Sequence, residues 1–76
     1  MTETAVRFIA TAVAISFGTF GPALAIGGIG IFALKAIARN PEARGPVLTN
    51  MILAIAFAEA VAIYALITAI IIALVA

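Results

Sequence analysis

Two long apolar stretches separated by one short polar interval account for almost the whole chain. Apolar residues dominate from Phe8 to Leu34 and again from Val47 onward, while Lys35 to Pro46 carries most of the charge. A helix needs about 20 apolar residues to cross the hydrocarbon of a bilayer. Both stretches exceed that length. The pattern therefore predicts an all-α membrane protein: a transmembrane hairpin with one helix over about 4–39, a polar loop over about 40–45 and a second helix over about 46–76. The start of the chain could be mistaken for a cleaved signal, since Ala23-Leu24-Ala25 resembles a small-x-small site. Glu3 beside Arg7 spoils the positive region such a signal needs, and the apolar run continues about nine residues past the supposed cut. The first stretch is therefore expected to stay as a spanning helix.

The loop has its own logic. Asn40-Pro41 is a turn signal, because proline pushes the residue before it out of helical geometry. Pro46 suits the first turn of a new helix, where its missing N–H costs nothing. Lys35, Arg39 and Arg44 gather positive charge here, which predicts a cytoplasmic loop with both termini on the opposite side.

Within the first helix the small residues fall into two rows. Ala14, Gly18, Gly21, Ala25 and Gly28 recur at steps of three and four, and Ala12, Ser16, Thr19, Ala23, Gly27 and Gly30 form a second row roughly opposite. Small residues let membrane helices approach closely, so two opposed rows predict a like neighbour on each flank, as in a closed ring. The blander reading is that Gly and Ala are simply common in membrane helices. Pro22 removes one N–H from this helix and predicts a bend near Gly18. In the second helix Ala54, Ala58, Ala62, Ala65, Ala69 and Ala73 make a flat stripe, while Ile52, Ile55, Ile63, Leu66 and Ile70 share the face of Glu59.

Composition narrows the function. The 76 residues are 67% hydrophobic and 9% charged, with a formal net charge of +1 and no Cys, His or Trp. Such a chain has no disulfide framework, no soft metal site and no basic surface for nucleic acid. Its three carboxylates lie far apart and suggest no enzyme constellation, and nothing calls for a cofactor.

Glu59 is the exception in an otherwise uncharged second span. A carboxyl at that depth is costly and by default marks an ion or proton path. The alternative is a neutral acid that only hydrogen-bonds a neighbouring helix. A two-helix hairpin cannot enclose such a group, so copies of the chain are expected to cover it. Folding the chain about Glu42 and Ala43 sets Glu59 level with Ile26 and Gly27, against glycine-rich backbone of its own or a neighbouring first helix. Tyr64 lies about 140° around the helix from Glu59, so it would reach the carboxyl only across a subunit boundary, or serve as a packing aromatic. Lys35, Arg39 and Arg44 all lie toward the loop, from about 14 Å for Lys35 to about 22 Å for Arg44 along the axis, beyond contact with the carboxyl. Any charge that draws the proton off must then come from another protein. A sodium site needs several oxygen ligands, and Ile26, Ala60 and Val61 offer none from their side chains, which argues for protons.

These residues together are recognisable. A glycine- and alanine-rich first helix, then Ala38-Arg39-Asn40-Pro41-Glu42, then Phe57-Ala58-Glu59 closely resembles the c-ring proteolipid of the F-type ATP synthase over essentially the whole chain. The resemblance implies a homo-oligomeric rotor ring, with no catalytic residue in this subunit. It implies that Glu59 is the carbodiimide-sensitive, proton-carrying carboxylate, supported by Tyr64, Ile26 and Gly27. It implies that Arg39, Asn40 and Pro41 meet the central-stalk subunits gamma and epsilon. Gly21, Ala23, Ala25 and Gly27 occupy the alternating glycine motif, with alanine at two positions and Pro22 between them. With Gly18, Gly28 and Gly30 they are expected to pack the ring. Ile26, Ala60 and Val61 stand where sodium-binding members carry Gln, Ser and Thr. The remaining implied partners are membrane lipid and subunit a with its essential arginine, in a bacterial plasma membrane. A scaffold or pore-forming oligomer that carries no protons is the rival class.

Overall fold

The computed structural model describes residues 1–75 and is a helical hairpin. Helix α1 spans Glu3–Arg39, a short 3-10 turn spans Pro41–Ala43, and helix α2 spans Arg44–Leu74. The described residues extend over 58 × 18 × 8 Å. Both arms are longer than the roughly 30 Å hydrocarbon core of a bilayer.

The start of α1 is fixed by Thr2, whose hydroxyl oxygen accepts from the Ala5 N–H at 3.0 Å. Glu3 in the first turn and Arg39 in the last complement the helix dipole. The helix stops where Pro41 forces it to: Asn40 has φ −141° and ψ 85°, outside helical geometry. Asn40 still donates its N–H to the Ala36 carbonyl at 3.0 Å, and Ala43 donates to the Asn40 carbonyl at 3.0 Å, closing the turn. The chain reverses within three residues, so Arg44 and Gly45, expected in the loop, already belong to α2. Pro46 is then the third residue of α2 rather than the first. It still lies in the opening turn, where no N–H is missed.

Pro22 does not end α1, which runs through it as one helix. Its ring does deprive the Gly18 carbonyl of its usual donor. Hydroxyls that would otherwise face lipid unpaired bond back to their own helix. Thr11 donates to Arg7 at 2.9 Å, Thr19 to Ile15 at 2.7 Å, Thr49 to Gly45 at 3.1 Å and Thr68 to Tyr64 at 3.0 Å. Each removes a polar group that hydrocarbon could not satisfy.

The helices meet along the alanine stripe of α2. Ala54, Ala58, Ala62, Ala65 and Ala73 are half-buried, and Ala69 is the one fully buried residue among those described. On α1 the facing positions are Thr11, Ala14, Ile15, Gly18, Pro22, Ile26, Ile29 and Ala33, all half-buried. Among the glycines only Gly18 is closely approached, by Ala65: a β-carbon on Gly18 would overlap the Ala65 methyl, and would lie 3.5 Å from the Ala65 Cα. No glycine here has a positive φ, so glycine at position 18 serves close approach and not an unusual backbone.

The small-residue rows of α1 are therefore not equivalent. Gly18 and Ala14, expected at a neighbouring copy, are taken by α2 of the same chain. A row of small side chains is as flat for its own hairpin partner as for a neighbour, so the pattern alone could not separate the two. Gly21, Gly27, Gly28 and Gly30 differ from Gly18: a β-carbon on any of them would meet nothing within 4 Å. Ala23, Ala25 and Gly27 are exposed.

Candidate functional site

Glu59 is placed by the helix rather than by a loop. It follows Ala58 of the interface stripe by one residue, so it projects about 100° to one side of the contact with α1. Tyr64 precedes Ala65 of the same stripe by one residue and projects to the other side. The two side chains leave opposite flanks of α2, and a single hairpin does not bring them together. Both are exposed, Tyr64 at 67%.

The Gly18–Ala65 contact also fixes the register. Stepping toward the turn along both helices brings Glu59 level with Leu24, so Ile26 and Gly27, expected at its level, lie two and three residues nearer the turn than Glu59. The turn is tighter than the assumed pivot at Glu42 and Ala43, and the register moves by about half a helical turn. Ile26 is half-buried and faces α2, whereas Gly27 is exposed with open space where a β-carbon would point. Glycine-rich backbone at Gly27 therefore does not cover Glu59 within one chain.

Among the described residues no hydrogen bond reaches the Glu59 carboxyl. The hydroxyls of Thr19 and Thr68 are already donated to helix carbonyls. Ala60 and Val61 bring no oxygen beyond the backbone. Apolar neighbours one to three turns away complete the flank: Ile52, Ile63, Leu66 and Ile70 are all exposed, between 43% and 62%. The result is a single ionisable group on an oily flank, open to whatever packs beside the hairpin.

At the turn, Arg39, Asn40, Pro41, Glu42 and Arg44 are all exposed. Position 40 is extended, so the turn is a blunt polar tip presenting Arg39 and Arg44 on either side of Pro41. This tip and the Glu59 flank are well separated. Glu59 is fifteen residues along α2 from Arg44, about 22 Å of helix.

Sequence reasoning missed the division of labour between the two faces of α1. The signal for it was the alanine stripe itself, which demands a flat partner in the same hairpin.

Known proteins are similar to this chain in sequence. A family model for the C subunit of ATP synthase matches residues 9–72. A protein of Dehalococcoides mccartyi, named as an ATP synthase c subunit, is 46% identical over 71 residues, which is 93% of each chain. One of Chloroflexus aurantiacus with the same name is 46% identical over 63 residues, 83% of each chain. A third, from Petrotoga mobilis, is 38% identical over 65 residues, 86% of this chain and 68% of its own. With two membrane-length helices, one polar turn and a match over nearly its whole length, the chain is a membrane protein that belongs to the family of ATP synthase c subunits.

Proposed function

We propose that this chain is the proton-carrying rotor subunit of an F-type ATP synthase, with Glu59 as the carrier. The observation that carries this reading is the placement of Glu59. It is the lone charge of a membrane-spanning helix beyond Arg44, exposed on a flank and unpaired within its own chain. A carboxyl in that position must be covered by other subunits or by lipid. Side-by-side packing of copies sets the Glu59 flank of one against the Tyr64 flank of the next. Tyr64 is about 7.5 Å further along the axis, within reach of an extended tyrosine side chain. The open small-residue surface at Gly21, Gly27, Gly28 and Gly30 supports close contact between first helices in the same ring.

In this mechanism a proton enters through a half-channel in subunit a and neutralises Glu59. The neutral acid is the form that lipid tolerates, so the ring can turn with Glu59 outside the channel. The proton leaves at the second half-channel, beside the essential arginine of subunit a. One charge crossing yields about 2.3 kcal/mol per 100 mV, too little for one ATP, so several copies step per nucleotide. The chain itself breaks no bond. The exposed tip at Arg39, Asn40 and Pro41 seats gamma and epsilon of the central stalk, on the cytoplasmic side of a bacterial plasma membrane, with both termini opposite.

Carbodiimide labelling of purified rings, with and without high sodium at fixed pH, tests the ion. Carbodiimides attack the protonated acid. With no side-chain oxygen from Ile26, Ala60 or Val61, sodium should leave labelling of Glu59 unchanged, and strong protection by sodium would instead favour a sodium rotor. A scaffold that carries no ion has no need of a reactive carboxyl and would not label.

A further inference from the structure

We draw no further inference here: the strongest candidate, the apolar hollow beside Ser16, Phe17 and Phe20 on the exposed side of α1, lies on a surface that is open in a single hairpin, and nothing in the structure shows what covers it.

Discussion

Gly18 and Ala65 lie so close that no side chain fits between them. This one contact sets the register of the hairpin and hence the depth at which Glu59 leaves α2. Gly18→Ala should destabilise the hairpin. Alanine improves helix propensity by up to about 1 kcal/mol, but overpacking a tight contact costs about 1–3 kcal/mol. Gly21→Ala is the control, because a β-carbon there meets nothing within 4 Å. Unfolding of the detergent-solubilised protein, followed by circular dichroism, should show a loss for Gly18→Ala and none for Gly21→Ala. Equal effects would remove the special status of the Gly18–Ala65 contact.

Gly27 tests the opposite face. The space around it is open within one chain, so Gly27→Leu should leave the hairpin folded and yet stop copies from packing. Native electrophoresis or mass measurement of the purified assembly reads this directly. A ring of normal size and stability carrying Gly27→Leu would contradict close contact of first helices there.

The hairpin itself was legible because its signals are covalent and local. Pro41 excludes helical geometry at Asn40 whatever surrounds it, and two apolar stretches of that length read as spans. Glu59 was legible for the same reason, as a lone charge in a run that cannot solvate it. Its surroundings were harder to read. Whether Gly18 or Gly27 meets a neighbour depends on which face α2 covers, and alternating small residues look alike on both. The level of Glu59 depended on the length of the turn, and two residues drawn from the loop into α2 were enough to shift its partner from Ile26 toward Leu24.

The polar tip should matter for coupling and not for the ion path. Arg39 is exposed and remote from Glu59. Arg39→Ala should therefore preserve passive proton conduction through the membrane sector while weakening attachment of the catalytic head. Head retention after washing, measured together with proton-driven ATP synthesis in membrane vesicles, checks it. Unchanged synthesis in that variant would count against the tip as the seat of the central stalk.

The most direct measurement concerns Glu59→Gln. Glutamine keeps the shape of the neutral acid and cannot exchange a proton, so the ring should assemble at normal size. Proton flux through the membrane sector, reconstituted in vesicles under an imposed potential, should then fall to background while the wild-type assembly conducts. Proton transport surviving in a correctly assembled Glu59→Gln ring would contradict the account at its centre.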